Sequence, residues 1–159
     1  MIYILDTNII RTLLNFFPKK GRRFEEVWDK IDEKINTGEF ISVDECYNEL
    51  TAQFSDKTDQ YQWFHGHKEM FKNPDNRESI IISKLLMKPK MRETVHQKNI
   101  LENRPSADVY IAAKAKALDA IVVTNENYKP NSAQLPNLCE ELGVSCISYD
   151  DFMEILDEL

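Results

Sequence analysis

The sequence contains no apolar run approaching the ~20 residues that a membrane-spanning helix needs. No basic region precedes its first apolar residues, and that first run is too short for a signal peptide. These absences predict a cytoplasmic protein with no membrane partner. Cysteine is scarce. Cys46, Cys139 and Cys146 are odd in number and lack C-x-x-C spacing, so free, mostly buried thiols are expected rather than disulfides or a zinc site. There are no repeats and no low-complexity segment. Positive charge is also short: 20 Lys and Arg face 27 Asp and Glu, a formal net charge of −7. That argues against a general polyanion binder, which is usually basic. It leaves room for an enzyme that meets nucleic acid through metal ions, because acids gathered at a metal site add to the negative total.

The chain has 159 residues, 42% hydrophobic and 30% charged, the size and composition of one compact globular domain. Ile2 to Leu5 is a short β-branched and aromatic run that stops at Asp6, Thr7 and Asn8, which predicts a buried strand with polar groups at its carboxyl end. Thr7 or Asn8 can cap a helix that Pro18 ends. A basic turn, Lys19 to Arg23, leads into a helix from Phe24 to Asn36 whose stripe is Phe24, Val27, Trp28, Ile31 and Ile35. Phe40 to Val43 is a second strand, and Asp44 can cap a helix to Phe54. Ala120 to Thr124 and Val144 to Ile147 are two further strands. Pro105-Ser106 opens a helix to Leu118, Leu138 to Leu142 is a helix closed by Gly143, and Asp150 begins a last helix. Residues 130–136 read as a loop. Alternating strands and helices mean a mainly parallel sheet covered on both faces. Between about residues 55 and 104 no strand is expected. A helix over 57–72, another carrying Ile80 to Met87 and ended by Pro89, and a weak helix or loop from Met91 to Leu101 read as a helical insertion or lid.

In open α/β sheets ligands bind outside the carboxyl ends of the strands. Asp6 and Asn8 stand there, and three further acids return to the same edge. Glu49 lies on the helix leaving the second strand, beside its apolar stripe. Asp108 lies in the first turn of its helix, in line with the stripe and where a helix N-terminus favours negative charge. Glu126 lies two residues past Thr124. Taken singly, each is an ordinary cap or surface acid. Together they repel unless a cation joins them. Oxygen ligands without paired His or Cys suit Mg²⁺ or Mn²⁺. Such ions activate water and neutralise charge in a displacement at phosphorus. His65 and His67, at i and i+2, do not share a helix face and read as surface residues of the insertion. The basic run Lys84, Lys88, Lys90, Arg92, Lys98 and Arg104 reads as a solvated face, with RNA phosphate contact by Lys88, Lys90 and Arg92 as its minority reading.

Leu5-Asp6-Thr7-Asn8, Glu49, Ala107-Asp108 with Ile111-Ala112-Ala113, and Val122-Val123-Thr124-Asn125-Glu126 together resemble the PIN domain. Within that family they are similar to the VapC-like toxin ribonucleases and their longer relatives. The likeness covers the start and last third of the chain well, residues 40–50 moderately, and residues 55–104 not at all. It implies a three-layer α/β/α sandwich formed by residues 1–159 with a helical insertion at 55–104. It also implies an Mg²⁺- or Mn²⁺-dependent endoribonuclease that hydrolyses RNA phosphodiester bonds as the toxin of a toxin–antitoxin pair. The partners are then RNA and an antitoxin protein; a homodimer is compatible with this, and the oligomeric state stays open. Asp6, Glu49 and Asp108 match the core metal-binding acids. Glu126 matches the fourth catalytic acid, usually Asp, and its extra length suits action through water. Asn8, Thr124 and Asn125 match supporting polar positions. Two other readings stand beside this one. A haloacid-dehalogenase-like phosphatase shares an Asp, a Thr and the Asp150-Asp151 pair after strands, but wants a second Asp where Asn8 stands. A non-catalytic PIN-like protein-binding module would need a broken acid set.

Overall fold

The computed structural model describes residues 1–16, 21–102 and 106–159. Pro18 as a helix stop, the Lys19-Lys20 part of the basic turn, Arg104 and Pro105 lie outside these residues. In chain order the elements are β1 (Tyr3–Leu5), α1 (Thr7–Phe16), α2 (Arg22–Asn36), β2 (Phe40–Val43), α3 (Asp44–Gln53), α4 (Asp59–Gly66), β3 (Phe71–Lys72), α5 (Asn76–Leu86), α6 (Pro89–Glu102), α7 (Ala107–Leu118), β4 (Ile121–Val123), α8 (Leu135–Leu142), β5 (Cys146–Ile147) and α9 (Tyr149–Glu158).

The strands form a parallel sheet in the order β3-β2-β1-β4-β5. The short apolar strand that opens the chain is therefore its centre. Tyr3 pairs with Phe40 on one side and with Ile121 on the other. All four residues of β2 are buried, as a strand covered on both faces requires. One covering layer holds α2 and α9. Phe40 and Phe152 have ring centroids 5.1 Å apart, and Trp28 meets Trp63 of α4 at 5.1 Å. The other layer is built on α7, which packs against β2, β4, α5 and α8. Its small buried residues Ala107, Ala112, Ala113 and Ala115 let the helix lie close to the sheet. This is the three-layer α/β/α architecture expected from the sequence.

Several local expectations are corrected. Residues 55–104 do hold a strand. Phe71–Lys72 pairs with Ser42 and Val43 and forms the sheet edge, after α4 ends at Gly66 and a 3-10 turn covers Lys68–Met70. Two residues are too few to display a period of two, so the strand left no pattern to read. Trp63, Phe64, Met70 and Phe71 are buried in the core, so this part of the segment is no lid. The helix expected to stop before Pro89 does so, with Met87 as its C-cap, and Pro89 in addition opens α6, where its missing N–H costs nothing. Pro136 likewise sits inside the first turn of α8. His67 is half-buried rather than fully exposed. It stacks on Trp63 at 4.5 Å, and its Nε2 lies 3.2 Å from Asp32 Oδ1. His65 is exposed, with Nδ1 2.9 Å from the Tyr47 hydroxyl. The last helix begins at Tyr149 rather than Asp150, and the Ser148 hydroxyl caps it by accepting from the Asp151 N–H. Cys46, Cys139 and Cys146 are free, as expected.

Candidate active site

Asp6 is the first residue beyond β1, and its N–H still bonds Val123 O at 3.1 Å. Its carbonyl accepts from Ile9 and Ile10, so Asp6 itself caps α1, where Thr7 or Asn8 was expected. The carboxylate is 3% exposed, with Oδ1 accepting from Thr7 N–H at 2.7 Å and Oδ2 from the Thr124 hydroxyl at 2.8 Å. A side chain held at both oxygens has little freedom, so its position is set before any ligand arrives.

Thr124 follows β4 and is buried. Its Oγ1 donates to Asp6 and accepts from the Glu126 N–H at 3.1 Å. One hydroxyl therefore fixes the position of two acids. Glu126 Oε2 also accepts from Leu135 N–H at 2.8 Å, which ties it to the first residue of α8. Asp108 stands in the first turn of α7, 5% exposed, where the Ser106 hydroxyl accepts from its N–H at 3.3 Å. Oxygens of Asp6, Asp108 and Glu126 lie within 4.8 Å of one another. Glu49 is outside that triplet. Its Oε2 accepts from the Thr7 hydroxyl at 2.6 Å, and its charge still acts on Asp6. Asn8 is half-buried in the first turn of α1, and Asn125 is exposed.

Burial holds the Asp6 pKa well above the usual carboxylate value. The charges of Asp108 and Glu126 push it further up, the Thr124 hydrogen bond pulls it down, and Glu49 adds a smaller upward push. Burial raises the Cys46 thiol too, helped by the Asp6 charge, so no thiolate nucleophile is available there. Burial and the neighbouring acids thus disfavour the ionised form of Asp6. A raised folded-state pKa means that the folded protein holds a proton where the unfolded chain has lost it. The resulting stability is full below the unfolded value of ~3.9 and is lost as pH rises through the folded one. In EDTA, the melting temperature of the wild type should therefore fall across that window relative to Asp6→Asn. Parallel pH profiles for the two proteins would contradict this.

Oxygen-only anionic donors are the set that hard divalent cations select. Such an ion draws its oxygens in to about 2.0–2.6 Å, and the three carboxylates, with oxygens within 4.8 Å of one another, could hold one after closing around it.

Sequence reading missed two features. The Thr7–Glu49 contact joins residues 42 apart. Lys98 of α6 was grouped with a solvated basic run. It is instead 15% exposed, its ammonium paired with Asp108 Oδ2, 3.6 Å from Glu126 Oε2 and 3.4 Å from Ala133 O. Its register opposite the acids depends on how α6 lies, and α6 carries no continuous apolar stripe to reveal that.

Comparison with known proteins places this geometry. Residues 3–158 match the family described as Domain of unknown function (DUF4411), and the chain belongs to that family. No curated protein matches. Among solved structures, VapBC-1 from nontypeable Haemophilus influenzae is similar at 18% identity and a TM-score of 0.50, over 94% of this chain and 99% of that one. VapBC2 from Rickettsia felis, bound to a DNA fragment from its promoter, is similar at 15% identity and a TM-score of 0.52, over 93% and 98%. FitAB bound to an IR36 DNA fragment is similar at 15% identity and a TM-score of 0.50, over 93% and 95%. The chain has the fold of the VapC-like PIN domains. Among the described residues no helix is long and apolar enough to cross a membrane.

Proposed function

We propose that this protein is a divalent-metal-dependent endoribonuclease, the cytoplasmic toxin of a toxin–antitoxin pair. The observation that carries the reading is the triplet of carboxylates, Asp6, Asp108 and Glu126, gathered at the carboxyl edge of a VapC-like sheet. Asp6, Asp108 and Glu126 hold the ion, with Glu49 beside them acting on Asp6 and fixed by Thr7. When bound, Mg²⁺ or Mn²⁺ lowers the pKa of water and offsets charge on the phosphate. The chain's own residues do the positioning. Thr124 keeps Asp6 and Glu126 in register, Ser106 orients the turn that carries Asp108, and Asn8 and Asn125 offer polar groups at the rim. Residues 1–159 act as a single unit in this reading, which rests on the family likeness for the antitoxin partner. The test is cleavage of defined RNAs with Mg²⁺ or Mn²⁺, run beside Asp6→Asn and beside p-nitrophenyl phosphate. Metal-dependent RNA cleavage that Asp6→Asn removes supports it. Phosphate-ester turnover without RNA cleavage would favour the phosphatase alternative.

Two expected results arise here. At about 100 times its dissociation constant a site-bound ion adds roughly 2.7 kcal/mol, or a rise of about 5–11 °C in melting temperature for a chain of this size. Asp6→Asn should shrink that rise, and an equal response would put the ion elsewhere. The second concerns the basic residues before and at the start of α6. Lys88 pairs with Glu141, whereas Lys90 and Arg92 are exposed. If Lys90 and Arg92 each contact a phosphate, replacing both with Gln lowers the salt-dependence slope of RNA binding, measured in EDTA, by about 1.4. An unchanged slope leaves them as surface charges.

A further inference from the structure

Lys98 places a positive charge where the proposed metal ion would have its ligands. Its ammonium is on Asp108 Oδ2 and 3.6 Å from Glu126 Oε2, two of the three carboxylates whose oxygens converge. The side chain is 15% exposed, so this contact is built into the packing of α6 beside the start of α7. Beside such buried acids an ammonium offsets part of their mutual repulsion.

We propose that Lys98 is an internal counter-ion that competes with the divalent ion for Asp108 and Glu126, so that metal loading requires its ammonium to leave them. This rests on the metal-site reading above. Two cations cannot share those oxygens without strong repulsion at such short range. The ammonium is flexible on its four-carbon stem, so it can retract while α6 stays in place. Once displaced, it remains within a side chain's reach of the carboxylates, at the rim where an RNA phosphate would approach. The site then exchanges one positive charge for two, and the lysine sets how much free metal is needed for the exchange.

The measurement is Mn²⁺ affinity by calorimetric titration of wild type, Lys98→Met, Lys98→Arg and Asp6→Asn, with melting temperatures in EDTA as a second readout. Lys98→Met removes the competitor, so it should bind Mn²⁺ at least about tenfold more tightly, the scale of one modest charge–charge term. It should also melt lower than wild type in EDTA, because the acids lose their counter-ion. Lys98→Arg keeps the charge and should stay near wild type in both readouts, which separates competition from a packing defect. Asp6-dependent Mn²⁺ binding that is unchanged or weaker in Lys98→Met overturns the counter-ion role and leaves the metal site standing. Wild type with no Asp6-dependent Mn²⁺ binding removes the metal-site reading, and this inference with it.

Discussion

On the proposed reading, Asp6→Asn and Glu126→Gln should each lower RNA cleavage by roughly 10²–10³-fold, the scale set by removing one preorganised group that stabilises developing charge. Glu49→Gln should cost distinctly less. The ranking follows from geometry. Asp6 is buried and held at both oxygens, and Glu126 is tied to Thr124 and to α8. Both lie in the triplet with Asp108. Glu49 faces the site from α3 and bonds Thr7, outside that triplet. Its matching position in the PIN pattern implies a ligand, so a Glu49→Gln variant as inactive as Asp6→Asn would restore it to the metal shell. Melting curves accompany the assays, because each of these substitutions changes one charge without changing side-chain size.

The largest stability effect is expected at an ion pair outside this triplet. Lys114 of α7 and Glu78 of α5 form an ion pair whose side chains are 7% and 1% exposed. Lys114 Nζ lies 2.9 Å from Oε1 and 3.1 Å from Oε2 of Glu78, and it also donates to Asn73 O at 3.1 Å. Glu78 Oε2 accepts in addition from the Asp75 N–H, closing a capping box at the start of α5. Lys114→Met leaves a carboxylate buried without its cation, which typically costs about 3–5 kcal/mol. That is a fall of about 6–20 °C in melting temperature for a domain of this size. Adding Glu78→Gln removes the stranded charge while keeping the cap, so the double variant should recover most of the loss. A single variant that melts with wild type would mean that the pair contributes nothing net.

What could be read in advance was what local chemistry determines. β1, β2 and β4 announce themselves as apolar runs bounded by polar residues. α7 is framed by Ser106 and a stripe ending at Leu118, and Gly143 closes α8 with the positive φ of 69° expected of a C-terminal glycine. Asp6, Asp108 and Glu126 were legible because strand ends and a helix start fix where they stand. The rest depended on tertiary placement. β3 has two residues and exists only because Ser42 and Val43 offer an edge. Pro89 and Pro136 carry the same local signal whether they stop a helix or start one. Lys98 looks like any lysine in a basic run until α6 brings it to Asp108 and Glu126. The double use of the Thr124 hydroxyl joins residues 118 apart on one side and two apart on the other, and no periodicity reports that.

The position of β1 has a consequence for synthesis. It is made before the other described strands, yet it lies between two of them. Its contacts reach 37 residues on, at Ser42, and 118 residues on, at Thr124. While the chain is being translated, Asp6 therefore has no complete site to join until β4 and Glu126 have been added. At about 5–20 residues per second that delay is on the order of ten seconds. A nascent chain carries the first acid of the site throughout that interval and cannot assemble the other two around it. On the proposed reading, activity is then withheld from chains that end before residue 126.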